Sequence, residues 1–178
     1  DEQQRGVRWK SWRLVEAYFA REDPTEVRVA EREQRLEVDL AGVPFVGVVD
    51  RTDHAHEGLL VTDYKTGKAP LDKYLDGRFG QVWLYAAALK EIDQEVDRVR
   101  LMYLGSEKIE PKKMERDLDP EAVMAAVDAH RTTWDEIGTA MQRDSFPTKT
   151  GPLCAWCPYI DRCPAGQAAV ERRYGPQG

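Results

Sequence analysis

Two short apolar runs separated by a turn constrain this chain more than any other stretch. Val46, Val48 and Val49 lead into Asp50, and Leu59, Leu60 and Val61 lead into Asp63, with His54-Ala55-His56-Glu57-Gly58 between them. β-Branched and aliphatic runs on either side of turn chemistry predict a β-hairpin. With its axis between His56 and Glu57, Asp50 falls opposite Asp63, because cross-strand partners lie equally far from the turn. The strand period of two puts Lys65 on the face of Asp63 and turns Tyr64 away.

Two facing carboxylates repel, and burying them without compensation is costly. A hard divalent cation removes that cost. Carboxylate oxygens suit Mg²⁺ or Mn²⁺, which keep water or phosphate oxygens in their remaining positions. Lys65 would add a compact positive charge beside a phosphate or an attacking water. The bland alternative is a hairpin end carrying ordinary surface ion pairs.

Four stretches lie in order along the chain: G-V-V-D at 47–50, D-Y-K at 63–65, Q-V-W-L-Y at 81–85 and C-A-W-C-P-Y-I-D-R-C-P at 154–164. Together they resemble the PD-(D/E)XK nuclease superfamily, and within it the RecB-like exonucleases of the iron–sulfur AddB and CRISPR-associated type. The resemblance implies an α/β fold of restriction-endonuclease-like type, a central mixed sheet flanked by helices. It implies metal-dependent hydrolysis of DNA phosphodiesters in repair, recombination or defence. Asp50, Asp63 and the Tyr64 backbone carbonyl would hold Mg²⁺ or Mn²⁺, Lys65 would orient the attacking water, and Gln81 and Tyr85 of the Q-x-x-x-Y motif would contact DNA. A helicase or repair-complex partner goes with this family. The same family carries a histidine on its first helix in a G-x-x-x-H pattern; here Gly6-Val7-Arg8-Trp9-Lys10 puts Lys10 at that place, and a protonated lysine cannot ligate. Glu16 and Glu31 are candidate substitutes. A nuclease-fold subunit that binds DNA or a partner without cutting is the alternative reading.

All three cysteines, Cys154, Cys157 and Cys163, fall within ten residues. In a reducing compartment that density argues for a metal centre over disulfides. By resemblance it is the C-terminal part of an iron–sulfur site, a 4Fe–4S cluster in the full-length protein, whose fourth cysteine precedes the first helix and is absent here. Zinc, free thiols, or a metal-binding regulatory module centred on these residues are the alternatives.

The remaining text supplies a scaffold. At 178 residues and 42% hydrophobic, the chain suffices for one domain with a real core. Residues 1–150 read as the nuclease domain, N-terminally truncated since the chain opens on Asp1, and 151–178 as a cysteine segment packed on it. No apolar run is long enough for a membrane span and no signal-peptide pattern opens the chain, so a cytoplasmic location is expected. Net charge is −6, which argues against nucleic-acid binding except through local basic clusters such as Arg5, Arg8, Lys10 and Arg13. Periodicity predicts helices over 8–22, packing on the sheet, and over 77–92. Strands are expected through 27–53, interrupted at Gly42-Val43-Pro44, then over 99–104 and 109–118. Asp119-Pro120-Glu121 opens a helix running to about Arg143, with His130 in a structural role. Zinc at His54 and His56, and a phosphate loop at Thr66-Gly67-Lys68, both fail for want of further residues.

Overall fold

A computed structural model describes residues 2–71, 76–105 and 112–175. Contacts divide the chain into two compact units, Asp1–Trp134 and Asp135–Gly178. The first contains α1 (Glu2–Phe19), β1 (Val29–Leu40), β2 (Val43–His54), β3 (Leu59–Lys65), α2 (Gly80–Lys90), β4 (Val96–Tyr103), β5 (Lys112–Asp117) and the first turns of α3 (Pro120–Gln142). The second holds the end of α3, 3₁₀ turns at Pro152–Trp156 and Ile160–Arg162, and α4 (Pro164–Tyr174).

The five strands form one sheet in the order β1-β2-β3-β4-β5, antiparallel except where β3 and β4 run parallel. A parallel neighbour requires a crossover, and α2 provides it. The result is the α/β architecture expected, a central mixed sheet with helices. Its core lies between sheet and α2, where Val49, Val61, Val82, Ala88, Leu89, Val99 and Leu101 are fully buried. Alanines at 86, 87 and 88 keep α2 thin enough to sit close, and seven of its eleven residues are buried. Ala122, Val123, Ala126 and Val127 on α3 add partly buried packing. The helix starts as the sequence predicts: the Asp119 carboxylate accepts from the backbone N–H of Glu121 at 2.9 Å and of Ala122 at 3.2 Å. His130 packs edge-on against Phe45, in keeping with a structural role.

Two expectations are corrected. The strand interruption expected at 42–44 falls instead at 41–42. Ala41 (φ 55°) and Gly42 (φ 86°) make a two-residue turn, and β2 continues through Pro44. The pair flanking such a turn, Leu40 and Val43, is hydrogen-bonded, so the next pair, Asp39 and Pro44, points its amide groups outward. β3 pairs with β2 only at residues 51–54, so no ladder bond is lost at the proline. The first helix starts and ends earlier than 8–22, and it buries none of its residues: Trp9, Trp12, Val15 and Phe19 are all exposed. Its hold on the sheet comes instead from polar groups at and beyond its C-terminal end, described below. The strand expected over 109–118 is present as β5, Lys112–Asp117, paired with β4; the part of it before Lys112 lies outside the described residues.

Candidate active site

The hairpin has the register predicted from its turn. Ala55 N–H donates to Gly58 C=O at 2.9 Å, and Arg51 lies opposite Thr62, which carries Asp50 to the position opposite Asp63. There the ladder stops, and a side chain takes over from the backbone. The Tyr64 N–H donates to Asp50 Oδ2 at 2.7 Å. On the other side of β2, Arg32 pairs with Arg51 and Gln34 with Val49, but Glu33, opposite Asp50, adopts φ 49° and drops out of the β1–β2 ladder. Asp50 therefore stands at a local break in both of its ladders, which frees its carboxylate to reach across.

Asp63 is 3% exposed. Its Oδ2 lies 2.8 Å from Lys65 Nζ, and apart from that ion pair the oxygen has no hydrogen-bond partner among the described residues. Burial pushes its carboxyl above the usual range, Lys65 draws it back, and the neighbouring Asp50 adds to the upward push. Lys65 Nζ also donates to Gln81 Oε1 at 2.8 Å, and Gln81 Nε2 donates to the Tyr85 hydroxyl at 2.6 Å. A continuous polar chain thus runs from Asp63 through Lys65 and Gln81 to Tyr85, linking β3 to the first turns of α2. Burial raises the Tyr85 phenol; its bond with Gln81 lowers it, and the charges of Asp63 and Asp50 raise it again. The fold therefore brings together Asp50, Asp63, Lys65, Gln81 and Tyr85.

Gly47 makes the room for this arrangement. A Cβ there would sit 2.8 Å from Tyr85 Cε1 and 3.0 Å from the Phe45 ring, so a side chain at 47 and the Tyr85 ring cannot share the space. The sequence shows the glycine inside a G-V-V-D match, but only the packing of Tyr85 over β2 gives the reason for it.

The opposite side of the same strands holds a buried charge network that sequence reasoning missed. Arg51, 4% exposed, donates to Glu22 at 2.7 and 3.1 Å, to Asp53 at 2.8 and 3.1 Å and to the Tyr64 hydroxyl at 2.5 Å. Arg100 on β4 donates to Glu22 Oε2, which it shares with Arg51, at 2.8 Å and to Glu115 at 2.9 Å, and Arg98 pairs with the same Glu115. Tyr18 at the end of α1 donates to Glu22 at 3.1 Å and packs edge-on against Tyr64. Burial works against the Glu22 charge, but the Arg51 hydrogen bond outweighs it and holds that carboxyl below its ordinary value. Burial likewise works against the Arg51 charge, and its acidic partners outweigh it and raise its pKa.

Asp50, Asp63 and the Tyr64 carbonyl make a donor set suited to a hard divalent cation. In a strand a residue's N–H and C=O point to the same edge, so the Tyr64 carbonyl faces the β2 side with its N–H, beyond the last β2–β3 pair. Lys65 C=O, one residue on, instead accepts from Leu104 N–H on the β4 side at 2.8 Å. Asp63 Oδ2, buried beside Asp50, has only the Lys65 ammonium as a partner among the described residues, so the two neighbouring carboxylates are only partly compensated. No third His, Cys, Asp or Glu joins the pair among the described residues. Lys10 is exposed on α1, Glu16 pairs with Arg13 at 3.9 Å, and Glu31 lines a cleft of about 540 Å³ with Thr52, His54 and Glu95. His54 and His56 are exposed and gather no metal-binding group among the described residues.

The cysteines do not fit a preformed cluster. All three are free, and they do not converge on a common point among the described residues. Cys154 Sγ accepts from Gly151 N–H and Cys163 Sγ from Gly166 N–H, both at 3.3 Å, so these two sulfurs cap local backbone turns.

A mixed sheet with one crossover helix, and two carboxylates with a lysine where its second and third strands part, is the architecture of restriction-endonuclease-like α/β domains. The chain belongs to the PD-(D/E)XK nuclease superfamily, which it matches over residues 2–164. Members of that superfamily are generally nucleases, typically use divalent metals, and act on DNA. No curated protein matches the chain. Among solved structures it is similar to SSO0001, with 17% identity and a TM-score of 0.42, covering 76% of this chain and 61% of that one. No helix among the described residues is long and apolar enough to cross a membrane.

Proposed function

We propose that this chain is a divalent-metal-dependent deoxyribonuclease of RecB-like exonuclease type, hydrolysing phosphodiester bonds in DNA repair, recombination or defence. The observation that carries the reading is the Asp63 carboxylate: buried, short of partners, ion-paired with Lys65 and facing Asp50. Such a group is costly to keep unless something binds it. Asp50, Asp63 and the Tyr64 carbonyl would hold Mg²⁺ or Mn²⁺, which when bound supplies Lewis-acid stabilisation of the phosphoryl group and acidifies the attacking water. Lys65 Nζ, held by Gln81, places positive charge where the phosphorus oxygens become more negative. Gln81 and Tyr85 border that point and position the strand.

The test is cleavage of single- and double-stranded DNA with Mn²⁺ by purified wild type, Asp63→Ala and Lys65→Ala. Loss of cleavage in both folded variants is expected; wild-type rates in either would refute the assignment. A second reading, a nuclease-fold subunit that binds DNA or a partner without cutting, draws on the lack of a third acidic or histidine ligand among the described residues and on Lys10 at the expected histidine place. It predicts DNA retention by the wild type with no Mn²⁺-dependent cleavage. The iron–sulfur subtype rests on cysteine spacing alone, and iron and zinc analysis of the full-length protein decides it. A helicase partner has the same standing and calls for co-purification.

A further inference from the structure

β2 and β3 part at the place where the site has to be held together. Their last ladder pair is Arg51 with Thr62, and the next two residues, Asp50 and Asp63, carry like charges that push the strands apart. Two side-chain bonds cross the gap instead, and both end on Tyr64. Its N–H donates to Asp50 at 2.7 Å, and its hydroxyl accepts from Arg51 at 2.5 Å. Alternation along each strand sorts the partners: Arg51 follows Asp50 and Tyr64 follows Asp63, so on each strand the clamp residue points away from the acid before it. Arg51 is itself fixed by Glu22 and Asp53, and Tyr18 packs edge-on against the Tyr64 ring.

We propose that Arg51 and Tyr64 are positioning residues, a clamp through the sheet that sets the separation of Asp50 and Asp63 and the direction of the Tyr64 carbonyl for cation binding. The proposal rests on the metal-site reading above. None of the motif matches includes Arg51, and D-Y-K includes Tyr64 for its carbonyl only.

The test is Mn²⁺ titration of the full chain by calorimetry, without DNA, for wild type, Tyr64→Phe, Asp63→Asn and Val99→Ala. Tyr64→Phe keeps the ring and its contact with Tyr18 while removing the bond from Arg51. Residues that orient metal ligands typically change affinity by 10–100-fold, so the Kd for Mn²⁺ is expected to weaken about tenfold in Tyr64→Phe, with kcat for DNA lowered and KM unchanged. Val99→Ala, a core truncation on β4, loses stability yet keeps wild-type Mn²⁺ affinity. Wild-type affinity in Tyr64→Phe beside lost binding in Asp63→Asn overturns the clamp and leaves the metal site standing. Equal weakening in Val99→Ala overturns it as well, since the effect would then be general destabilisation. Wild-type binding in Asp63→Asn removes the metal site and the clamp with it.

Discussion

Substituting Gly47 by alanine puts the packing around the candidate site to a quantitative test. The new methyl would lie 2.8 Å from Tyr85 Cε1, roughly 0.7 Å inside the ~3.5 Å at which carbon atoms attract. Phe45 closes the other side at 3.0 Å, so the Tyr85 ring has to swing away. Overpacking of this kind costs about 1–3 kcal/mol. Losing the Gln81–Tyr85 hydrogen bond adds about 1 kcal/mol. Against this, alanine gains about 0.5–1 kcal/mol over glycine through the unfolded chain. The net expectation is a loss of about 1–3.5 kcal/mol, measured as a lower urea midpoint at unchanged m-value. Cleavage should fall as well, because the displaced ring releases Gln81 and through it Lys65. Repeating the substitution in a Tyr85→Ala background, where the obstructing ring is gone, should leave only a small cost. A Gly47→Ala variant as stable as wild type, or one equally damaged in both backgrounds, refutes the argument that Gly47 exists to admit Tyr85.

Two further outcomes concern the buried charges. The Asp63 carboxyl is raised in the fold, so its protonated form is favoured there, and the stability it contributes is present below about pH 3.8 and lost as pH rises through its folded value. Asp63→Asn should therefore gain stability relative to wild type as pH climbs through that window and level off above it; a difference flat with pH would contradict the burial argument. Glu22 has the opposite sign, lowered in the fold, so its contribution is present above its unfolded value of 4.5 and disappears as pH falls through its folded value. Glu22→Gln should cost about 1.5–3 kcal/mol at pH 7, the worth of hydrogen bonds to charged groups, with the deficit vanishing in acid; chemical denaturation across pH checks both.

What the sequence revealed was whatever has a local signature. The turn at 54–58 set the hairpin register by symmetry, and spacing of four on one helix put Gln81 and Tyr85 together. The Asp119 cap carried its own chemistry. The network of Glu22, Arg51, Arg100 and Glu115 has no such signature: its members come from four elements or loops, and charged residues at 33% of the chain offer too many equivalent pairings to choose among. The first helix misled because its apolar periodicity is genuine while its burial is not; Trp12, Val15 and Phe19 recur as a core stripe would and face outward. Glu33 was opaque for another reason. Its left-handed backbone sits where the β1–β2 register skips opposite Asp50, which shows only once the strands are paired.

Pro44 bears on how this protein avoids its own kind. β2 overruns β3 by eight residues, from Val43 to Asp50, and Val46 and Val48 along that overhang are exposed. A valine-rich border with no strand paired to it among the described residues is a template for strand-to-strand adhesion between molecules. The proline turns its nitrogen, which has no hydrogen to offer, toward that border, so an incoming chain would meet a missing donor where it needs one.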